Sequence, residues 1–244
     1  MKKAAFYTLG CKVNQYETEA MAELFADSGY EIKEFTEVAD VYVINTCSVT
    51  NMGDRKSRQI IRRAKKLNPN AVIAVTGCYA QTAPDEVLAI EGVNLVLGTK
   101  DRKNIVTLVE ELNTESNINH VSDIMSNHEF EELQIKQYSN RTRAFIKIQE
   151  GCNQFCSYCI IPYARGPVRS RAKDDVVREI KELARNGFKE IILVGIHVAS
   201  YGVDLGDTTL ESLIMDVDKI DGVERIRLSS IEPMTLNQEF IDSI

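Results

Sequence analysis

The chain of 244 residues contains no apolar run near the roughly 18 residues that suggest a membrane helix. Its first residues, Met1-Lys-Lys-Ala-Ala-Phe-Tyr7, are interrupted by Thr8, Gly10 and Lys12 before a signal-peptide core can form. These absences predict no membrane partner and a cytoplasmic location, where thiols stay reduced. A surplus of positive charge is also missing. The 29 Lys and Arg against 36 Asp and Glu give a net charge of -7, so any RNA contact has to come from local basic patches rather than the overall field. Neither G-x-G-x-x-G nor G-x-x-x-x-G-K-[ST] occurs, which excludes the usual dinucleotide and nucleoside-triphosphate loops. A composition of 44% hydrophobic and 27% charged residues is that of a globular chain able to bury a core.

What is present is cysteine in two patterns. Cys152, Cys156 and Cys159 fall within eight residues, behind the strand-like run Arg143–Glu150. Three soft, anionic ligands on one short loop suit an iron-sulfur cluster. Three ligands on a four-iron cluster leave one iron open, as a substrate-binding centre requires. Competing uses fit less well. Structural zinc takes four ligands, and the nearest histidines, His128 and His197, are distant in sequence. A redox dithiol at Cys156-Ser-Tyr-Cys159 would not need the cysteine four residues upstream, and a disulfide framework belongs to small secreted chains.

The other three cysteines are scattered. Strand-like runs at 3–10, 41–45, 71–77 and 95–98 alternate with helical patterns at 14–29, 54–67, 84–90 and 104–112, which predicts an α/β domain with a doubly wound parallel sheet. Cys11, Cys47 and Cys78 each lie just past the carboxyl end of one predicted strand. Such ends share one edge of a parallel sheet, where ligands bind, so these three predict a second site, against the ordinary alternative of small buried hydrophobes. Residues 113–140 lose periodicity and read as a linker, with His120 and His128 as solvated loop residues. Beyond it, helices at 173–186 and 210–220 and strands at 190–195 and 225–230 repeat a βα unit. Its functional ends would be the cluster loop, Gly195-Ile-His197 and Ser229–Pro233.

These residues carry a resemblance. Cys-x-x-x-Cys-x-x-Cys with Tyr158 before the last cysteine is similar to the signature of radical S-adenosylmethionine (SAM) enzymes, and the flanks from Glu150 to Gly166 resemble their methylthiotransferase branch. Thr8–Glu19, Asn45–Thr50 and Thr76–Gln81 resemble the three cysteine motifs of that family's first domain. Within the family, Leu9-Gly-Cys-Lys-Val-Asn-Gln-Tyr-Glu17 is similar to the tRNA threonylcarbamoyladenosine subfamily.

The resemblance implies a first domain at 1–112 holding an auxiliary 4Fe-4S cluster on Cys11, Cys47 and Cys78, a linker at 113–140, and a partial, truncated radical SAM βα barrel at 141–244. It also implies a 4Fe-4S cluster on Cys152, Cys156 and Cys159, with SAM near Tyr158, Gly195, Ser230 and Glu232. The implied activity is methylthiolation of threonylcarbamoyl-modified adenosine beside the anticodon of tRNA, with an electron donor such as flavodoxin or ferredoxin. The alternatives are another tRNA adenosine, a ribosomal protein, or a two-cluster redox protein. The chain as it stands, lacking the rest of the barrel and an RNA-binding β-barrel, is expected not to turn over alone. RNA contact is expected from Arg55–Lys66, with seven basic residues in twelve, and from Arg165, Arg169, Arg171 and Lys173.

Overall fold

The computed structural model describes residues 1–48, 51–113, 115–135, 143–232 and 238–243. Val49 and Thr50 of the second cysteine motif, positions 114 and 136–140 of the expected linker, 141–142 of the expected barrel, and Pro233 lie outside the described residues. The chain forms two compact units, Met1–Ser126 with Phe155–Arg165, and Asn127–Gln154 with Gly166–Ile244.

The first unit runs β1 (Lys3–Thr8), α1 (Lys12–Asp27), β2 (Glu31–Lys33), β3 (Val41–Thr46), α2 (Asn51–Leu67), β4 (Val72–Gly77), α3 (Cys78–Thr82), α4 (Pro84–Leu88), β5 (Leu95–Leu97), α5 (Ile105–Glu110) and β6 (Ile118–His120). The chain later returns to it with α6 (Ile161–Arg165). The sheet order is β2-β1-β3-β4-β5-β6, and every pair is parallel. All six residues of β3 are buried, a pattern that requires cover on both faces. On one face Tyr42, Ile44, Ile73 and Val75 pack with Ile61 and Ala64 of α2. On the other, Val41, Val43, Ala74 and Leu95 pack with Met21 and Phe25 of α1 and Ile105 and Val109 of α5. The alternation along each strand thus distributes the helices to the two sides of a doubly wound sheet. Helix α1 closes in a Schellman turn, with Tyr30 N–H on Phe25 O at 3.0 Å and Gly29 N–H on Ala26 O at 2.9 Å.

The second unit contains β7 (Arg143–Lys147), β8 (Gln149–Glu150), β9 (Arg169–Ser170), α7 (Lys173–Arg185), β10 (Glu190–Val194), α8 (Leu210–Asp218), β11 (Arg225–Leu228) and α9 (Gln238–Ser243). Strands β7, β10 and β11 form a parallel sheet in the order β11-β10-β7, the expected start of a βα barrel. Strands β8 and β9 pair antiparallel, Gln149 with Ser170 and Glu150 with Arg169, and so clasp the two ends of the cysteine loop. Helix α7 ends in a second Schellman turn at Gly187, and α8 starts from a capping box in which Thr209 Oγ1 accepts from Ser212 N–H at 3.2 Å.

The stretch expected to be a linker departs from that reading. Ile118–His120 add a strand to the first sheet, Ile124 is buried in the first unit, and Leu133 and Ile135 are buried in the second. Isolated apolar residues with no periodicity gave no sign of this, because their burial depends on partners remote in sequence.

Candidate metal centres

The first site is built by the sheet. Thr46 pairs with Gly77 at the ends of β3 and β4, so Cys47 and Cys78, the next residues, leave adjacent strands in step. Cys11 follows the neighbouring strand β1 and precedes α1. Gly10 has φ +103, and a Cβ there would lie 2.9 Å from Cys47 Cβ and 3.1 Å from its sulfur. Only glycine permits both that backbone and that approach. Side chains then lock the strand ends together. Asn14 donates from Nδ2 to Leu9 O at 2.8 Å and to Thr46 O at 3.0 Å. Thr46 donates to Thr76 O at 2.6 Å, and Thr76 to Gly98 O at 2.7 Å. The three peptide segments carrying the cysteines are therefore fixed relative to one another before any ligand enters.

Behind these thiols is a buried polar cluster. Glu17, fully buried on α1, receives Arg102 Nη1 and Arg165 Nη1 on the same oxygen, each at 2.6 Å. Arg165 Nη2 also donates to Asn14 Oδ1 at 2.6 Å, and its Nε donates to Cys78 sulfur at 3.3 Å. Cys11 sulfur donates to the same Asn14 oxygen at 3.6 Å. Burial pushes the Cys78 thiol up, while Arg165 opposes that push and so favours the thiolate. Cys11 is exposed, Cys47 half-buried and Cys78 buried, and all are free thiols.

The second set of cysteines is local in sequence. Cys152, in the second unit, donates its N–H to Gly166 O at 3.0 Å. A Cβ on Gly151, whose φ is +74, would lie 1.8 Å from Pro167 O, so the loop can turn here only with glycine. Cys156 and Cys159, in the first unit, share a turn closed by Cys159 N–H on Cys156 O at 2.9 Å. Cys156 is exposed, and Cys152 and Cys159 are half-buried. Below Cys152, Glu150 receives Lys147 Nζ at 3.0 Å, with Arg169 Nη2 at 3.7 Å, all three side chains being buried.

Among the described residues, no three His, Cys, Asp or Glu side chains are drawn in to the spacing of a single bound metal ion. A cubane attaches each cysteine to a different iron and so holds its ligands further apart than one ion does. The thiols of Cys11, Cys47 and Cys78, on strand ends tied together by Asn14, Thr46 and Thr76, suit such a cluster.

The residues expected near SAM are placed separately. Tyr158 is 90% exposed in the first unit. Gly195 directly follows β10 and lies against Gln149, whose Oε1 is 2.8 Å from where a Cβ on Gly195 would be. Ser230 has φ 59, and its carbonyl accepts from Val198 N–H at 3.3 Å. Glu232 is exposed, with a carboxylate oxygen 3.9 Å from His197 Nε2. Gln149 ties this edge together, donating to Glu150 O and Gly151 O at 2.8 Å each and accepting from His197 N–H at 2.8 Å.

The basic residues divide. On α2, Arg55, Lys56, Arg62, Arg63 and Lys66 are exposed, while Arg58 donates to Tyr79 Oη at 2.9 Å. Arg165, Arg169 and Arg171 are buried in hydrogen bonds and ion pairs, Arg171 with Glu132 and Glu179. This corrects the expectation that they face RNA. Lys173 pairs with Asp216 at 2.8 Å. Glu17, Asn14, Gln149 and Glu150 were not singled out from sequence. The available signal was Asn14 and Glu17 following Cys11 by three and six residues, on a single turn-and-a-half of helix.

Comparison with known proteins covers both sets of cysteines. The uncharacterized protein family UPF0004 matches residues 3–98, and the radical SAM superfamily matches 146–244. Threonylcarbamoyladenosine tRNA methylthiotransferase MtaB of Bacillus subtilis is 52% identical over 99% of this chain and 54% of its own length. The MtaB protein of Aquifex aeolicus is 43% identical over 99% of this chain and 59% of its own. A tRNA-2-methylthio-N(6)-dimethylallyladenosine synthase of Sulfurihydrogenibium is 37% identical, with 96% and 55% covered. The chain thus spans about half the length of the curated relatives it matches. A solved structure of the radical SAM methyltransferase TsrM from Kitasatospora setae superposes with a TM-score of 0.65 at 15% identity, over 100% of this chain and 57% of that one, a likeness of fold. The two matched segments between them contain all six cysteines, and over nearly its whole length the chain is similar to the MtaB tRNA methylthiotransferases.

Proposed function

We propose that this protein is a tRNA methylthiotransferase that adds a methylthio group to threonylcarbamoyl-modified adenosine beside the anticodon. The observation that carries the reading is the meeting of the segments that bear Cys11, Cys47 and Cys78 at the carboxyl ends of β1, β3 and β4. In this reading the two sets hold two 4Fe-4S clusters, the first domain being the auxiliary-cluster domain and the second a radical SAM domain. Tyr158, Gly195, Ser230 and Glu232 are assigned to SAM. When bound, the clusters and SAM supply the one-electron chemistry needed to replace an unactivated aromatic C–H.

The chain's own residues supply position and charge. Gln149 orients Gly151 and His197 on one edge, and Gly151 lets the loop turn tightly before Cys152. Asn14 and Arg165 hold Cys11 and Cys78. Substrate tRNA would meet the exposed basic face of α2, because an acidic chain needs a local patch to approach phosphate. The threonylcarbamoyl substrate is supported over a dimethylallyl one by identities of 36–52% to MtaB proteins against 34–37% to the dimethylallyladenosine synthases. No helix of the described residues is long and apolar enough to cross a membrane. A cytoplasmic location and a flavodoxin or ferredoxin donor belong to this same reading.

The test is expression of the full-length protein in a host lacking its own such activity, followed by mass spectrometry of tRNA nucleosides. Methylthio-threonylcarbamoyladenosine is expected. Methylthiolation of dimethylallyladenosine alone, or of no nucleoside, contradicts the assignment.

A further inference from the structure

Arg165 stands six residues beyond Cys159, at the end of α6, yet its guanidinium is fully buried against the residues that surround Cys11 and Cys78. All three of its nitrogens are used. Nη1 and Nη2 grip Glu17 at 2.6 and 3.2 Å, Nη2 reaches Asn14 Oδ1 at 2.6 Å, and Nε reaches Cys78 sulfur at 3.3 Å. The end-on grip on Glu17 satisfies the ion pair without Nε, so the contact with sulfur is an additional bond, made by the one nitrogen that lysine cannot replace. The same α6 is pinned by Thr99 Oγ1 donating to Ala164 O at 2.8 Å, and Thr99 O accepts from Arg102 Nη2 at 2.6 Å. Both arginines that hold Glu17 are thereby tied to the turn carrying Cys156 and Cys159.

The geometry points to Arg165 as a positioning residue that sets the reduction potential of the first-unit cluster through Nε–H···Sγ of Cys78, and fixes the Cys156–Cys159 turn to that unit. This rests on the reading that Cys11, Cys47 and Cys78 hold a cluster. A cationic donor on a cluster sulfur favours the more negative, reduced state, so its loss lowers the potential. Glu17 and Asn14 act through Arg165 by aiming it.

The test uses the full-length protein with Cys152, Cys156 and Cys159 replaced by Ala, so that only the first-unit cluster is observed, reconstituted anaerobically and titrated by EPR. Arg165→Lys and Arg165→Gln are expected to load iron while lowering the reduced-to-oxidised ratio at fixed potential by about tenfold, the value of one charge-assisted hydrogen bond. Their EPR g-values should shift. If Arg165→Gln loads no iron, Arg165→Lys decides, because it keeps the charge and loses the fork. A loaded parent together with a loaded Arg165→Lys protein of lowered melting temperature but unchanged ratio and g-values assigns Arg165 a purely structural role and overturns the proposal. A parent that binds no iron in this background sinks the cluster reading itself.

Discussion

The two cysteine sites reach similar ends by opposite routes. Cys11, Cys47 and Cys78 are separated by 36 and 31 positions and meet only because three parallel strands end in step, so their geometry depends on the fold. Cys152, Cys156 and Cys159 are joined by a loop of eight residues, clasped at its base by β8 and β9. They are neighbours in the chain itself, and Cys156 and Cys159 share one turn. Both sites nonetheless share one device, a buried carboxylate held by two cations, Glu17 by Arg102 and Arg165, and Glu150 by Lys147 and Arg169. A cluster with thiolate ligands is anionic, and buried arginine or lysine close to it offsets the cost of enclosing that charge. In the proposed reading fold and loop supply the ligands differently, while the same charge arrangement serves both sites.

The largest expected effect comes from removing that arrangement where the fold depends on it. Glu17→Gln breaks a buried ion pair from one side, at a cost of about 3–5 kcal/mol, read as a lower denaturation midpoint of the first unit. Glu150→Gln should lower the stability of the second unit instead. Equal loss in both units from either change would show that the two devices are not separate.

The next effect concerns the two glycines. Gly10→Ala forces a side chain into a left-handed backbone beside Cys47, and Gly151→Ala drives one into Pro167 O. The backbone strain alone is about 1–3 kcal/mol in each case. Gly10→Ala should lose the iron that depends on Cys11, Cys47 and Cys78 and keep that which depends on Cys152, Cys156 and Cys159, and Gly151→Ala the reverse, as read by iron content and EPR. Loss of both clusters from either change would contradict independent assembly.

The smallest effect lies on the surface. Reversing the charge of Arg62, Arg63 and Lys66 leaves both cysteine sites untouched, because these side chains are exposed on α2. It should weaken tRNA binding and flatten the salt dependence by about 0.7 to 0.9 for each phosphate no longer neutralised. An unchanged slope would leave α2 as a solvated helix face.

Much of this was legible in sequence because it depends on period and punctuation. The unbroken apolar run Val41-Tyr-Val-Ile44 and the caps at Gly29 and Gly187 mark elements from local signals, and the position of each scattered cysteine after a strand is a local feature too. What was missed depends on partners remote in the chain. β2 and β6 are three-residue strands that carry polar side chains, with too few apolar residues to show a period. Arg165, Arg169 and Arg171 read as a basic patch because charge in sequence is silent about burial. Only the carboxylates Glu17, Glu150, Glu132 and Glu179, up to 148 positions away, explain why they are inside.

The most direct measurement is anaerobic reconstitution of the protein and of its two triple variants, Cys11/Cys47/Cys78→Ala and Cys152/Cys156/Cys159→Ala, with iron, sulfide and EPR determined for each. The account predicts two clusters in the parent and one in each variant, with different EPR signals, and SAM perturbing only the signal that depends on Cys152, Cys156 and Cys159. Zinc without sulfide, or a triple variant with the iron content of the parent, would contradict it.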